Sequence, residues 1–225
     1  SKSLGNSPDP LDLIAKYGAD GLRFGLMRIA PTGTDVKFDE KQIEEGKNFA
    51  NKLYNAARFR MMQGEAGTDP APRFTAVHID ILAKLKELHT SVAEAFAKYE
   101  FNTYTQSLYS FFWNEYCSLF LEAVKNDLRD GADAAVRNAT LYTIDTVLRH
   151  YLALLAPIMP HIAEELWQSL GFAARNDGKP LMSSPLPSAD SLLAGMDDTE
   201  ISKAKALATA LYETANRARN LKAEY

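Results

Sequence analysis

The chain has 225 residues, of which 46% are hydrophobic and 24% charged, and its formal net charge is −4. This composition is typical of an ordinary globular protein that can bury a sizeable core. The negative charge excludes binding of nucleic acid through bulk charge, so any such contact has to be local. The lone cysteine, Cys117, excludes an internal disulfide framework and a zinc cluster built on thiolates. No apolar run approaches the roughly 20 residues of a membrane span, and we expect a cytoplasmic protein without membrane contact.

Helical periodicity dominates the sequence and predicts an all-α protein. Two short helices are expected over residues 10–16 and 19–29, with Asp9 as the N-cap of the first and Pro10 in its first turn. The longer predicted helices span residues 39–63, 75–98, 102–128, 133–156, 161–170 and 198–224. Gly- and Pro-rich linkers separate them at 64–72 and 171–195. Helices of this length with short links are typical of an antiparallel bundle.

The helix predicted over 39–63 has two distinct sides. Its apolar residues predict a core face made of Ala50, Leu53, Tyr54, Ala57 and Met61. The opposite side carries a stripe of Asn48, Lys52, Asn55 and Phe59, flanked by Arg58. An aromatic ring beside amide and cationic side chains is the arrangement on which an unstacked base can lie while its edge meets donors. The alternative is that Phe59 packs under the next helix and the polar residues are only solvated.

The helix predicted over 102–128 is apolar nearly all round, which predicts a position in the middle of the bundle. Its aromatic residues are therefore interpreted as core. One polar strip contains Ser118, and Leu121 and Glu122 follow close to it. The titratable residues elsewhere predict no metal site, because His161 and Glu164, one turn apart, supply two ligands at most.

Six motifs in chain order resemble valine-specific class I aminoacyl-tRNA synthetases over the whole chain. The first, Ser1-Lys2-Ser3-Leu4-Gly5-Asn6, resembles the end of that class's Lys-Met-Ser-Lys-Ser loop. The others are Tyr17-Gly18-Ala19-Asp20 with Leu22-Arg23-Phe24, the run from Asn48 to Phe59, Trp113-Asn114-Glu115-Tyr116-Cys117, the run from Pro157 to Trp167, and the run from Arg219 to Glu224. Two departures are Tyr54, where the family usually has Trp, and Ser118-Leu119-Phe120, where it commonly has Asp-Trp-Tyr.

The resemblance implies two domains and two sets of site residues. Residues 1–38 would be the end of the catalytic loop and a small linking subdomain, and residues 39–225 the anticodon-binding bundle. Within the loop, Lys2, flanked by Ser1 and Ser3, would contact the phosphates of ATP. On the bundle, Phe59 would stack on an anticodon base, Asn55 and Arg58 would read base edges or grip the backbone, and Lys52 would contact phosphate. Leu121 and Glu122 would complete that site.

The same resemblance implies a parent enzyme that joins valine to its tRNA with ATP and Mg²⁺ through a valyl-adenylate. The nucleotide-binding and editing domains of that parent are missing from this sequence, so we expect the chain alone to be inactive and to bind no cofactor. Its expected partner is a valine tRNA, and it is expected to be a monomer. The alternatives are the corresponding part of an isoleucyl-tRNA synthetase and a free-standing helical interaction domain without an RNA role. The absence of an initiator Met favours a segment of a longer protein.

Overall fold

The computed structural model describes residues 8–30 and 38–224, and it contains no β-strand among them. The predicted all-α fold class is therefore confirmed. The helices are α1 (Pro10–Tyr17), α2 (Ala19–Ile29), α3 (Glu40–Met61), α4 (Ala76–Ala97), α5 (Phe101–Ser110), α6 (Ala134–Leu155), α7 (Pro160–Ser169) and α8 (Asp198–Glu224). Three single-turn 3₁₀ segments, Ala174–Asn176, Leu181–Ser183 and Ala189–Ser191, lie between α7 and α8. None of the described helices is long and apolar enough to cross a bilayer.

Side-chain caps determine where the first and third helices begin. Asp9 Oδ1 accepts a hydrogen bond from the backbone N–H of Leu11 at 2.8 Å, and Pro10 stands in the first turn, as the sequence predicts. Asp39 caps α3 in the same way, accepting from the backbone N–H of Lys41 at 3.0 Å. Each cap satisfies a backbone donor that has no partner within the helix, which explains why the predicted starts are accurate.

The chain divides into two compact units. The first comprises the residues up to Met62 with Thr90–Tyr109 and Leu148–Pro187, and the second comprises Gln63–His89, Ser110–Val147 and the residues from Ser188 onward. This division passes through α4 and α6, and each unit combines several separate stretches of the chain. The predicted boundary divides the chain at one position, residue 38, and it stays a prediction.

In the first unit, α2 and α3 pack with their backbones in close approach. A Cβ atom built on Gly46 would lie 2.4 Å from the carbonyl oxygen of Gly21, and one built on Gly25 would lie 2.7 Å from that of Gln42. Such distances leave room only for glycine. Phe24 and Phe49 also stack between the two helices, with ring centroids 4.8 Å apart. These contacts fix which side of α3 faces inward.

The observed inward side of α3 corrects the predicted core face. Leu53 and Ala57 are fully buried as expected, but Tyr54 is 48% exposed and Met61 is 39% exposed. The buried side instead includes Phe49 and Ala56. The prediction was wrong for Tyr54 and Met61 because Gly46, which carries no hydrophobic signal, is the residue that α2 packs against.

Two residues of α2 hold the turn that precedes α7. The carboxylate of Asp20 accepts hydrogen bonds from the backbone N–H groups of His161 (3.3 Å) and Ile162 (2.6 Å). Arg23 donates to the carbonyl oxygens of Pro157 and Ile158, both at 2.9 Å. Asp20 thus caps α7 from a distant part of the chain, and a negative charge is favourable at a helix N-terminus.

The predicted helix over 102–128 changes its pitch along its length. After the α-helical Phe101–Ser110, the segment Phe111–Leu121 is a π-helix and Val124–Leu128 is a 3₁₀ turn. The hydroxyl of Ser118 donates to the carbonyl oxygen of Trp113, five residues earlier, at 2.7 Å. The wider turn brings side chains four residues apart nearer to one line. The rings of Phe112, Tyr116 and Phe120 follow one another in this way, with successive centroids 5.2 and 5.9 Å apart.

Several polar groups in the interior of the second unit are hydrogen-bonded. Lys84 Nζ lies 2.8 Å from a carboxylate oxygen of Asp80 and 2.8 Å from one of Glu115. Burial alone would lower the pKa of Lys84, but the hydrogen bonds to Asp80 and Glu115 outweigh that effect and raise it. Fully buried His78 lies 2.8 Å from the hydroxyl of Thr140 through Nε2, and burial lowers its pKa to about 4.

Candidate nucleic-acid interface

The second half of α3 is a basic segment of an otherwise acidic chain. From Lys47 to Gln63 the sequence has four cationic residues, Lys47, Lys52, Arg58 and Arg60, and no Asp or Glu. Arg60 is buried, whereas the other three reach the surface in part or in full. The face can therefore attract phosphate locally although the net charge of the whole chain is −4.

The predicted stripe lies at the border between the exposed and buried sides of α3. Asn48 and Asn55 are exposed, whereas Lys52 and Phe59 are half-buried and already interact with other groups of the protein. Phe59 thus has a packed portion, as the interpretation of packing under a neighbouring helix expects. It also has an accessible portion, as stacking on a base requires. A ring held in this way is preorganised for stacking, because it loses little conformational freedom when a base covers it.

Asn55 and Arg58 provide the hydrogen-bonding capacity of the face. Both side chains are exposed. Neither makes a side-chain hydrogen bond or an ion pair with another described residue. Their amide and guanidinium groups therefore stay available for a base edge or a phosphate oxygen. An aromatic ring, amide donors and cations on one helix can bind unpaired nucleotides.

Leu121 and Glu122 belong to the second unit, whereas the α3 residues belong to the first. Leu121 is 7% exposed, so its side chain packs in the core and does not offer a contact surface. Glu122 is exposed and forms an ion pair with Lys125, three residues later. Of Leu121 and Glu122, only Glu122 presents its side chain to solvent.

The assignment of Ser1, Lys2 and Ser3 to the ATP phosphates stays a prediction, because these residues lie outside the described part of the chain. Tyr54 is exposed on α3, although its aromatic character placed it in the predicted core. The signal that identifies it is the glycine contact between α2 and α3, which turns Tyr54 outward.

Comparison with family models places the chain among proteins that act on tRNA. The model described as the anticodon-binding domain of tRNA ligase matches residues 79–225, and the model of class I tRNA synthetases (I, L, M and V) matches residues 1–39. The first match covers more than half of the chain, so the chain belongs to the family of anticodon-binding domains of tRNA ligases.

Within this family, the chain is similar to curated valine–tRNA ligases. The relative from Porphyromonas gingivalis is 43% identical over 192 residues, which cover 84% of this chain and 21% of the relative. Those from Parabacteroides distasonis and Pseudothermotoga lettingae are 43% identical over 190 residues and 42% identical over 171 residues, covering 83% and 76% of this chain and 21% and 19% of the relatives. The chain thus spans about a fifth of the length of these relatives.

Two solved structures share the fold. The ternary complex of Agrobacterium radiobacter K84 LeuRS with tRNA and LeuAMS has a TM-score of 0.61 at 20% identity, covering 84% of this chain and 22% of that one. The apo form of Mycobacterium tuberculosis methionyl-tRNA synthetase has a TM-score of 0.60 at 22% identity, covering 80% of this chain and 40% of that one. At these identities the likeness concerns the fold alone.

Proposed function

We propose that this chain is the anticodon-binding part of a valine–tRNA ligase. The observation that carries the proposal is the outer face of α3, where exposed Asn55 and Arg58 lie beside half-buried Lys52 and Phe59 in a segment without acids. The similarity to valine–tRNA ligases at about 43% identity supports valine as the amino acid of the parent enzyme.

In this proposal each residue of the face has a distinct part. Phe59 stacks on one unpaired anticodon base, an interaction that every base can make through its π-face. Asn55 and Arg58 supply specificity, because their donors can meet the edge of a splayed base. Lys52 holds phosphate as a point charge.

The parent enzyme would activate valine with ATP and transfer it to the tRNA as an ester. Lys2, with Ser1 and Ser3, would hold the phosphates of ATP with Mg²⁺ in that enzyme. The present chain carries neither an amino-acid pocket nor an editing domain in this proposal, so it binds tRNA without aminoacylating it. The proposal includes a monomeric state and a cytoplasmic location.

The test is equilibrium binding of this chain to a valine tRNA transcript at one stated salt concentration. A transcript with an altered anticodon and an isoleucine tRNA transcript serve as competitors. We expect the native valine anticodon to bind at least tenfold more tightly than the altered one, since each wrong base leaves donors of the face unpaired. Equal binding to all three transcripts contradicts anticodon reading, and preference for the isoleucine transcript contradicts the assignment to valine.

Phe59→Ala tests where the site lies. Loss of one stacking partner typically costs about 1–3 kcal/mol of binding free energy. The variant's unfolding midpoint has to be measured as well, because Phe59 is half-buried. Phe96→Ala is the control, since Phe96 is a helical Phe that is exposed and lies on α4. Unchanged affinity in a folded Phe59→Ala variant removes Phe59 from the site.

A further inference from the structure

Among the exposed aromatic residues that the structure describes, Tyr54 and Phe38 are the two without a ring contact, and Tyr54 is the one that lies on α3. Its ring is 48% exposed on α3 and makes no hydrogen bond or ring contact with another described residue. Phe74, Phe96, Tyr99 and Tyr142 are also exposed, but each contacts a neighbouring ring. Those four rings extend the packing of the protein, whereas Tyr54 presents its ring to solvent without such a neighbour.

The surroundings of Tyr54 are polar and cationic. Arg58 lies one turn after it and Asn51 one turn before it, and both are exposed. Residues three and four apart are neighbours on a helix surface, so the guanidinium and the amide flank the tyrosine ring. The nearest acid in the sequence on either side is Glu45 or Glu65, outside the basic segment of α3. An isolated exposed aromatic is unremarkable, but one between an amide and a cation in an acid-free segment has the chemistry of a nucleotide contact.

Tyr54 and Phe59 point in different directions. Five residues of an α-helix correspond to a rotation of about 140° and a rise of about 7.5 Å. The two rings therefore cannot lie on the same base, and Arg58 stands on the helix surface between Tyr54 and Phe59. A single-stranded stretch of RNA that runs along the basic segment of α3 therefore contacts the two rings through two different nucleotides.

We propose that Tyr54, with Arg58 and Asn51, forms a second nucleobase-stacking site on α3. Its occupant is an unpaired nucleotide of the tRNA anticodon loop other than the one on Phe59. The proposal rests on the proposed function, because it takes the tRNA as the partner. Complementarity between the cations of this segment and the phosphates of the loop supports that choice of occupant.

The experiment places the fluorescent base 2-aminopurine at each anticodon-loop position of a valine tRNA in turn. Stacking on an aromatic ring quenches this base, so the quenched positions report which nucleotides lie on rings. The full chain is compared with Tyr54→Ala, Tyr54→Phe, Phe59→Ala and Tyr142→Ala. Tyr142 is the matched control because it is a helical tyrosine with a similar exposure of 53%.

We expect Tyr54→Ala to weaken binding about tenfold and to restore fluorescence at one position, while Phe59→Ala restores it at a different one. Tyr54→Phe keeps affinity within about twofold and keeps the quenching, because stacking needs the ring and not the hydroxyl. Tyr142→Ala changes neither readout.

Two outcomes overturn the inference, and they can be told apart. If Tyr54→Ala binds as tightly as the unmodified chain and quenches the same positions, while Phe59→Ala does not, the second site is wrong and the anticodon-binding proposal stands. If the unmodified chain fails to distinguish the native anticodon from an altered one, the proposed function is wrong and the second site falls with it.

Discussion

Helices α3 and α4 each have 22 residues, yet polar side chains of the two helices differ in their surroundings. In α4, His78 and Asp80 are buried and hydrogen-bonded inside the second unit. In α3, Asn55 and Arg58 are exposed and have no side-chain partner among the described residues. A polar group that the fold satisfies contributes to stability, and its loss leaves a buried partner unpaired. A polar group that the fold leaves open is available to another molecule.

The largest effect is expected from the buried ion pair of α4. Asp80→Ala removes the buried one of the two carboxylates that contact Lys84 and leaves this partly buried ammonium with Glu115 alone. We expect a loss of about 3 kcal/mol in the free energy of unfolding, measured with urea. Asp80→Asn keeps a hydrogen-bond acceptor for Lys84 and should lose less.

The exposed pair between Glu87 and Lys205 is the matched control for this variant. Glu87→Ala should change the free energy of unfolding by no more than about 1 kcal/mol, because solvent screens an exposed pair. Similar losses for Asp80→Ala and Glu87→Ala would show that burial does not set the stability contribution in this unit, and the contrast between α3 and α4 would lose its basis.

The next effect depends on pH and concerns His78. Burial lowers the pKa of His78 from the ordinary value of 6.5 to about 4, so the unfolded chain binds a proton more readily than the folded one. The stabilisation is fully present above pH 6.5 and is lost as the pH falls towards 4, by about 3 kcal/mol in all. His78→Gln should flatten this part of the curve of unfolding free energy against pH.

The comparison of variants isolates His78 from other groups that titrate in the same range. Burial also lowers the pKa of His89 and raises that of Asp127, and both groups remain in His78→Gln. An identical acid dependence in the original chain and in His78→Gln contradicts the prediction.

Much of the fold could be predicted from local signals, but the rotation of α3 could not. Asp9, Pro10 and Asp39 determine helix starts through bonds within three residues, so their effect is visible in the sequence. Which side of α3 faces inward depends on Gly46 meeting Gly21 of another helix, and glycine gives no hydrophobic signal. The π-helical pitch of Phe111–Leu121 was not predicted either, since the sequence pattern indicated one continuous helix over 102–128.

The residues of the candidate site also separate into those whose exposure follows from a local pattern and those whose exposure depends on packing. The polar residues Asn55 and Arg58 are where the pattern predicts them, because a solvated position needs no partner to define it. Tyr54 was misplaced since an aromatic ring fits a core and a stacking surface equally well in a sequence. Leu121 was predicted to complete the site together with its neighbour Glu122. Glu122 is exposed, but the side chain of Leu121 is buried.

The smallest effect on stability should accompany a clear effect on binding, at Arg58. Because Arg58 is exposed and has no side-chain partner among the described residues, Arg58→Ala should change the free energy of unfolding by less than about 0.5 kcal/mol. Affinity for the valine tRNA should fall about tenfold, since a charge-assisted contact is lost.

The salt dependence of tRNA binding then distinguishes the two roles that Arg58 can have in the site. If its guanidinium grips a phosphate, the slope of log affinity against log salt should become shallower by about one, whereas a contact with a base edge leaves the slope nearly unchanged. Arg149→Ala, at an exposed arginine of α6, should alter neither affinity nor stability. A large loss of stability in Arg58→Ala would show that Arg58 contributes to the fold, as the hydrogen-bonded polar groups of α4 do. The contrast between the polar side chains of α3 and α4 would then not hold for Arg58.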